Sequence, residues 1–196
     1  MQRTNNMNTI DIYDKLHDMI VHNEVAVLKN GEKYAELIDV HFDCDRPYIV
    51  DVLDDTFFDE WYEENYDPLI HSDEFGNQYN NCINQLISDD FSRRGIMQFI
   101  NPTKFFSGQV KDQICTAYVQ CILRHIDDEF ANLDYIVNMR SNNAIEFRYD
   151  LKWQTALRNR IAGELSDILD KTVLTPYIKW NAGSFHVYNR DFACFL

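Results

Sequence analysis

Glycine and proline are scarce in this chain, with six glycines and four prolines among its 196 residues. It has no internal repeat, no linker and no low-complexity segment, so its length indicates one domain spanning residues 1–196. It also lacks any apolar run approaching the roughly 20 residues that a membrane-spanning helix needs. Residues 1–8 are polar and contain no apolar signal core. We therefore expect a cytoplasmic protein that does not bind membranes.

A regular cysteine pattern is lacking as well. The cysteines are odd in number and show neither CxxC spacing nor a Cys/His ligand pattern: Cys44, Cys82, Cys115, Cys121 and Cys194. Such a set argues against a disulfide framework and against a zinc site, so we expect no metal.

Basic residues are few, and the charge imbalance is concentrated in one segment. Lys and Arg number 18 against 32 Asp and Glu, which gives a net charge of -14. Fourteen acids and one base lie between Glu36 and Glu74, giving -13. Such a surface repels phosphates, which argues against DNA or RNA binding. The acidic segment 36–74 has two interpretations: a solvated face, or a surface that contacts a basic partner protein or mimics DNA.

The apolar pattern predicts a mixed α/β domain in which helices pack on one sheet. Helices are predicted after a cap at Thr9, with Ile12 and Leu16 inside, and over 47–66, 77–88 and 150–169. Strands are predicted at 25–28, 34–42, 94–101, 113–125, 132–140 and 177–188. Asn30-Gly31 predicts a hairpin between the first two strands. The second helix is expected to bury Val50, Leu53, Phe57 and Trp61.

Three motifs contain side chains suited to binding a phosphorylated ligand. Ser92-Arg93-Arg94-Gly95 and Asn138-Met139-Arg140-Ser141-Asn142 put arginines beside small hydroxyl residues. Guanidinium forks bind phosphate through paired, charge-assisted hydrogen bonds. In the last predicted strand, His186 and Tyr188 are two residues apart and therefore share a face. Composition alone leaves each arginine equally open as an ordinary surface residue.

Cys115 is the candidate nucleophile among the cysteines. Strict alternation would place Cys115 with Ala117, Val119 and Cys121 on one small apolar face, where a buried inert thiol is the alternative. Gln120 would then point to the opposite face unless a bulge intervenes. Together with the arginines, this suggests a phosphorylated small molecule held at one end and attacked at the other.

The order and spacing of these motifs resemble the thymidylate synthase superfamily, and most closely the phage deoxycytidylate hydroxymethylases. The resemblance covers about 39–192. Three segments follow the hydroxymethylase pattern nearly letter for letter: Asn138-Met139-Arg140-Ser141-Asn142, Trp180-Asn181 and His186-Val187-Tyr188. It implies a thymidylate synthase-like mixed sheet, a homodimer that associates through that sheet, and the host cytoplasm if the chain is phage-encoded.

The resemblance also implies roles, residue by residue. Cys115 matches the nucleophile that adds to C6 of a pyrimidine, and Glu60 the group that organises water and protonates the base. Asp150 matches the residue that reads the base edge, where a carboxylate accepts from the cytosine amino group. Asn143 stands where the family has an Asp near the folate. Nucleotide contacts are implied for Lys29, Arg93, Arg94, Gln120, Arg140, Ser141, Asn142, His186 and Tyr188, with Arg93 and Arg94 reaching the phosphate across the dimer and His186 and Tyr188 on the sugar hydroxyl.

The implied reaction is C5 hydroxymethylation of a cytosine nucleoside monophosphate, dCMP or CMP, with 5,10-methylenetetrahydrofolate. Departures from the family suggest a shortened folate side and C-terminus. The segment 66–77 is shorter, the loop before Asp150 lacks a Gly, and only eight residues follow Tyr188. They leave open a second hypothesis, a catalytically weak or inactive paralogue that binds a nucleotide or a partner protein.

Overall fold

The structure is a computed structural model that describes residues 7–44, 56–72, 76–89, 91–101, 103, 107–108 and 114–196. Helices α1 to α5 span Thr9–Val21, Thr56–Asn65, Asp67–His71, Gln78–Ser88 and Phe147–Leu169. Strands β1 to β9 span Met7–Asn8, Ala26–Val27, Lys33–Cys44, Gly95–Gln98, Thr116–His125, Phe130–Met139, Asn142–Asn143, Thr172–Leu174 and Ile178–Tyr188. A 3-10 helix, Asn189–Cys194, follows β9.

One mixed sheet joins the nine strands of the described residues. Six of them follow the order β1-β3-β9-β6-β5-β4, while β2 pairs with β3, β7 with β9 and β8 with β6. Strand β9 is antiparallel to β3 and parallel to β6. Strands β4, β5 and β6 are antiparallel neighbours. The predicted α/β class with a thymidylate synthase-like mixed sheet is thereby confirmed.

The core lies between the sheet and helices α1, α4 and α5, which contact its strands. Each helix buries apolar residues three or four positions apart, so that one side faces the sheet. These residues are Ile12 and Leu16 in α1, Cys82, Ile83 and Leu86 in α4, and Leu157, Ile161 and Leu165 in α5. The strands bury alternate residues, such as Leu133, Tyr135 and Val137 in β6, because successive side chains point to opposite faces.

The other side of the sheet, called here the open face, exposes large apolar side chains. Ile38 of β3 is 68% exposed, Ile96 of β4 38% and Tyr118 of β5 39%. Scattered apolar side chains are normal on a surface, whereas contiguous ones indicate association. Ile96 and Tyr118 lie on the adjacent strands β4 and β5, while β9 and β6 separate Ile38 from them.

Strands β3 and β9 share an irregularity that changes which residues are buried. In β3, Ala35 is buried before Asp39, and Val40 and Phe42 are buried after it. Asp39 itself has a φ of +55°, which is uncommon for a residue other than glycine. In β9 the buried residues change parity at the paired position, from Trp180 and Ala182 to Phe185 and Val187. The matched shift keeps apolar residues inside on both strands.

The hairpin prediction is confirmed, while the first helix is capped one residue earlier than expected. Strand β2 pairs antiparallel with β3, and Gly31 in the turn has a φ of +86°. Asn8, not Thr9, caps α1: its side chain accepts from the Asp11 backbone N–H at 3.0 Å. The Asp11 carboxylate in turn accepts from the Asn8 N–H at 2.8 Å, which completes a capping box.

The second predicted helix is described only from Thr56, and its buried side is not the one expected. Val50, Leu53 and the side chain of Phe57 lie outside the described residues. Trp61 is 38% exposed, whereas Tyr62 and Tyr66 are buried. The two tyrosines are four residues apart, so they share one side of α2. They pack there on Trp153 of α5, with ring centroids 6.0 and 4.5 Å away, and this contact rotates the helix by one residue.

Candidate functional site

The first turn of α5 places Asp150 in the interior, where it is 8% exposed. The Tyr62 hydroxyl donates to Asp150 Oδ1 at 2.7 Å, and the Asn142 amide donates to Oδ2 at 2.7 Å. Burial raises the pKa of Asp150 to about 6, against the lowering effect of these two hydrogen bonds. The helix was predicted to begin at 150, but it begins at Phe147. Asp150 is therefore held from two sides by α2 and β7.

Asn142 is oriented by a second buried contact. Trp180 Nε1 donates to Asn142 Oδ1 at 3.0 Å, so the amide nitrogen must point to Asp150. Asn142 is 1% exposed. Its nitrogen thus holds Asp150 and its oxygen is taken by Trp180. An effect of Asn142 on a ligand would therefore pass through the Asp150 carboxylate.

Cys115 directly precedes β5 and is half-buried beside the turn that follows β6. Its Sγ lies 3.7 Å from Ser141 Oγ, and the Arg140 backbone N–H donates to the Cys115 carbonyl at 2.9 Å. Burial raises the pKa of the Cys115 thiol, while the Ser141 hydrogen bond and the Arg140 charge lower it. The resting thiol is therefore mostly protonated at neutral pH, and nucleophilic attack requires a proton acceptor.

The alternation predicted around Cys115 is wrong at its beginning. Thr116 is buried with Val119 and Cys121, while Ala117 is half-buried. The reason is a register irregularity between Thr116 and Tyr118 in the pairing with β6. Such a bulge reverses side-chain direction for the residues before it. Cys115 is thereby left half-buried at the edge of the core, with its Sγ beside Ser141 Oγ.

Hydrogen bonds among buried side chains hold the backbone next to Cys115 in place. Thr116 Oγ1 donates to Met139 Sδ at 3.2 Å, so it accepts from the Tyr66 hydroxyl at 3.0 Å and the Gln154 amide at 3.5 Å. The Gln154 carbonyl accepts from the Tyr135 hydroxyl at 2.7 Å. Satisfied buried networks of this kind hold their members in one arrangement. The network thus joins Tyr66, just after α2, and Gln154 of α5 to strands β5 and β6, whose ends lie next to Cys115 and Arg140.

Most of the other predicted residues lie on the surface of the protein. Lys29, Glu60, Arg93, Arg94 and Arg140 are exposed. Gln120 is half-buried on the open face, where its amide donates to the Arg93 carbonyl at 2.9 Å. The Asn143 side chain accepts from the Ile145 N–H at 2.9 Å and so caps its own turn. Within one chain, contacts join Cys115 to Ser141, Asn142 to Asp150 and Gln120 to the Arg93 backbone.

His186 and Tyr188 form a second group on the open face. Their rings meet edge to face with centroids 5.1 Å apart, as their spacing in a strand predicted. His186 Nδ1 lies 3.1 Å from Ser184 Oγ, and the Arg190 guanidinium lies 4.7 Å from the centre of the Tyr188 ring. Burial lowers the pKa of His186, and the nearby Glu36 carboxylate partly offsets this.

Sequence reasoning missed the aromatic residues that surround Asp150. Tyr62, Tyr66 and Trp153 pack together, and Phe99 contacts both Tyr66 and Trp153 at centroid distances of 5.2 and 5.7 Å. The available signal was the four-residue spacing of Tyr62 and Tyr66, which indicates one helix side. Choosing this pair over Trp61 requires knowing where α5 lies.

Among the residues that the structure describes, no helix is both long and apolar enough to cross a membrane. Within the same ranges, no three His, Cys, Asp or Glu side chains are grouped as metal ligands would be.

We expect Asp150 to make the free energy of unfolding fall as the pH rises. Its pKa is about 6 in the folded protein against 3.8 ordinarily, so the folded protein holds this proton more tightly. The resulting stabilisation is fully present below pH 4 and is lost as the pH rises through about 6, for a total of about 3 kcal/mol. Urea denaturation of the unaltered protein and Asp150→Asn at pH 4 and pH 7 measures it. Relative to the unaltered protein, Asp150→Asn should be more stable at pH 7 than at pH 4 by about 3 kcal/mol. A stability difference between the two proteins that is the same at both pH values would contradict the raised pKa of Asp150.

A half-buried thiol beside a serine and an arginine, with a buried carboxyl nearby, is the arrangement of a polar site with a potential nucleophile. No protein-family model matches the chain. Three phage enzymes do resemble it: the deoxycytidylate 5-hydroxymethyltransferases of Enterobacteria phages T4, T2 and T6. Each is 29% identical over 205 residues, which cover 86% of this chain and 81% of the phage enzyme. This similarity supports a relationship between the chain and those enzymes.

Proposed function

We propose that the chain is a homodimeric enzyme that hydroxymethylates C5 of a cytosine nucleoside monophosphate, dCMP or CMP. The juxtaposition of Cys115, Ser141 and Arg140 beside the buried Asp150 is the observation that carries this proposal. The similarity to phage deoxycytidylate 5-hydroxymethyltransferases supports the same reaction. We place this activity in the cytoplasm of an infected host, since the related enzymes belong to phages.

In the proposed reaction, the Cys115 thiol releases its proton to water and the thiolate adds to C6 of the pyrimidine, which makes C5 nucleophilic. C5 later loses its proton, water supplies the hydroxyl of the new hydroxymethyl group, and expulsion of the thiolate restores the C5–C6 double bond. Asp150 accepts a hydrogen bond from the exocyclic amino group of cytosine, which uracil lacks. Tyr62 and Asn142 hold that carboxylate in place. Glu60 is the residue proposed to organise water. It is exposed on α2, so it would contact the base only if α2 moved toward the bound ligand.

Folate is the proposed one-carbon donor, and the candidate for its site is a cavity lined in part by Trp153, which packs on Tyr62 and Tyr66. The cavity measures about 360 Å³, of the size that holds small-molecule ligands, and Trp153, Glu63, Asp67, Lys152 and Arg160 line it. An aromatic side chain stacks on a flat ring, and carboxylates accept from pterin N–H groups. Lys152 and Arg160 suit the carboxylates of a glutamate tail. The bound folate would supply the carbon that C5 attacks, and Asn143 is proposed as a further contact to it.

The phosphate is proposed to lie against Arg140 and Ser141, with Arg93 and Arg94 contributed across a dimer interface. The three exposed apolar residues of the open face, Ile38, Ile96 and Tyr118, support association through the sheet. Lys29, in the turn before β3, is proposed as a further phosphate contact because the resemblance implies that role.

Release of tritium from C5-labelled nucleotide tests the proposal. We expect folate-dependent release from dCMP or CMP and little from dUMP, because Asp150 favours cytosine. Binding of dCMP without release at any folate concentration would contradict the enzymatic proposal.

Two observations favour a second candidate, a catalytically weak or inactive paralogue that binds a nucleotide or a partner protein. Burial raises the pKa of Cys115, and Tyr62 already occupies one oxygen of Asp150. The acidic segment 36–74 is the proposed protein contact, although 45–55 and 73–75 within it lie outside the described residues. Nucleotide binding without tritium release would support this candidate.

Arg140→Ala should weaken dCMP binding by about 2 kcal/mol, roughly thirtyfold, because a charged hydrogen-bond donor to the phosphate is lost. Isothermal titration calorimetry measures the change. Deoxycytidine, which lacks the phosphate, serves as the matched control and should bind both proteins equally. A monomer at the concentrations used, with unchanged dCMP affinity in Arg93→Ala, would contradict the contribution across the interface.

A further inference from the structure

Three side chains on the open face form a chain of hydrogen bonds that ends at His186. The Ser184 hydroxyl donates to Glu36 Oε1 at 2.5 Å, and the same Oγ lies 3.1 Å from His186 Nδ1. Glu36 is paired with His186 across β3 and β9, and Ser184 is two residues before His186 on β9. All three side chains are half-buried. Two adjacent strands therefore hold the chain of contacts.

Proton counting decides the direction of the second hydrogen bond. A serine hydroxyl carries one proton, and here the Glu36 carboxylate, which has only acceptor oxygens, takes it. Ser184 Oγ can then only accept from the imidazole, so His186 Nδ1 must carry a proton. Burial lowers the pKa of His186, which keeps the ring neutral with a single N–H near pH 7. In a neutral ring protonated at Nδ1, Nε2 has a lone pair and is an acceptor.

The other ring nitrogen is left for a ligand. No hydrogen bond to His186 Nε2 is found within the ranges that the structure describes, and Tyr188 lies beside the ring. The irregularity at Asp39 in β3, matched in β9, places Ser184 and His186 together on the open face. The partner group for Nε2 must therefore be a donor, such as a hydroxyl.

We infer that Ser184 and Glu36 are positioning residues that hold His186 in the Nδ1-protonated tautomer, so that Nε2 accepts a hydrogen bond from a sugar hydroxyl of the nucleotide. The ligand half of this inference rests on the proposed function and on the resemblance, which implies that His186 and Tyr188 contact that hydroxyl. It adds a specificity: the nucleotide must offer a free hydroxyl that donates, and a dideoxynucleotide or a 3′-O-methyl ether cannot.

Nitrogen-15 NMR of the ligand-free protein tests the tautomer without reference to activity. Imidazole 15N signals distinguish a protonated from an unprotonated nitrogen, and His186→Gln identifies the signals of this ring. We expect a protonated Nδ1 and a bare Nε2 near pH 7 in the unaltered protein. In Ser184→Ala the proton should redistribute toward Nε2, and Ser184→Thr, which keeps the hydroxyl, should retain the original pattern. A bare Nδ1 in the unaltered protein would overturn the inference.

Nucleotide affinity tests the ligand half. The unaltered protein should bind dCMP about tenfold more tightly than 2′,3′-dideoxycytidine monophosphate, the scale of one hydrogen bond. Ser184→Ala should reduce this ratio toward one, and Glu36→Gln should reduce it in part. If the tautomer is as expected but the ratio is one in the unaltered protein, the sugar contact is wrong even where dCMP still binds and reacts. If dCMP does not bind at all, the proposed function fails while the NMR result stands separately.

Discussion

Cys115→Ser is expected to abolish folate-dependent release of C5 tritium from dCMP, with a loss on the order of 10⁴-fold or more. Without an adjacent base, a serine hydroxyl at neutral pH is a far weaker nucleophile than a cysteine thiolate. The affinity for dCMP should hardly change, because the thiol acts in bond formation and contributes little to ground-state binding. Release of tritium is the readout for the first effect and calorimetry for the second.

A control and a trapping experiment separate this loss from general damage. Cys194 is exposed in the final 3-10 helix, so Cys194→Ser should leave both activity and binding unchanged. 5-Fluoro-dCMP with the folate should form a covalent adduct with the unaltered protein and none with Cys115→Ser. Full activity in Cys115→Ser would remove the nucleophile from the mechanism.

Asp150→Asn is expected to shift base preference from cytosine toward uracil by about 100-fold in the ratio of affinities. One hydrogen bond of about 1.4 kcal/mol is lost with cytosine and one is gained with uracil. Trp180 holds the Asn142 amide as a donor toward position 150, so an introduced amide must turn its oxygen to Asn142. Its nitrogen then faces Tyr62, whose hydroxyl turns to accept one of the two amide protons, and the other proton remains as a donor that suits the uracil carbonyl. Calorimetry with dCMP and dUMP measures the ratio.

Tyr62→Phe is the matched control for this change. It removes one hydrogen bond to Asp150 but keeps the carboxylate, so the preference for cytosine should persist while Asp150 is held less firmly. Equal binding of dCMP and dUMP by the unaltered protein would count against Asp150 as the residue that reads the base.

Local features of the fold could be predicted from the sequence because they depend on neighbours along the chain. Asn30-Gly31 turns between β2 and β3 because glycine readily adopts a positive φ. The long helix α5 follows from its apolar period, and only its start differs, at Phe147. The common face of His186 and Tyr188 follows from the two-residue period of a strand. The spacing of apolar residues does not predict the grouping of Cys115 with Arg140 and Ser141. Only the resemblance implied it.

Tertiary contacts decided the details on which the chemistry depends. Tyr62 rather than Trp61 faces inward because Trp153 lies opposite α2. Thr116 rather than Cys115 is buried because the pairing of β5 with β6 slips by one residue. A one-residue slip in strand pairing and a one-residue rotation of a helix each change the local free energy little. For that reason no local sequence pattern specifies either of them.

By itself, the sequence determined the class of fold, the positions of most helices and strands, and the motifs that carry the candidate site. The tertiary structure alone decided that Trp180 orients Asn142, that Tyr62 and Asn142 hold Asp150, and that Glu36 and Ser184 meet His186. Three of these contacts, Trp180 with Asn142, Tyr62 with Asp150 and Ser184 with Glu36, join residues 38, 88 and 148 positions apart in the chain. Propensity and period act over a few residues, whereas hydrogen bonds between distant segments exist only once the sheet has brought them together.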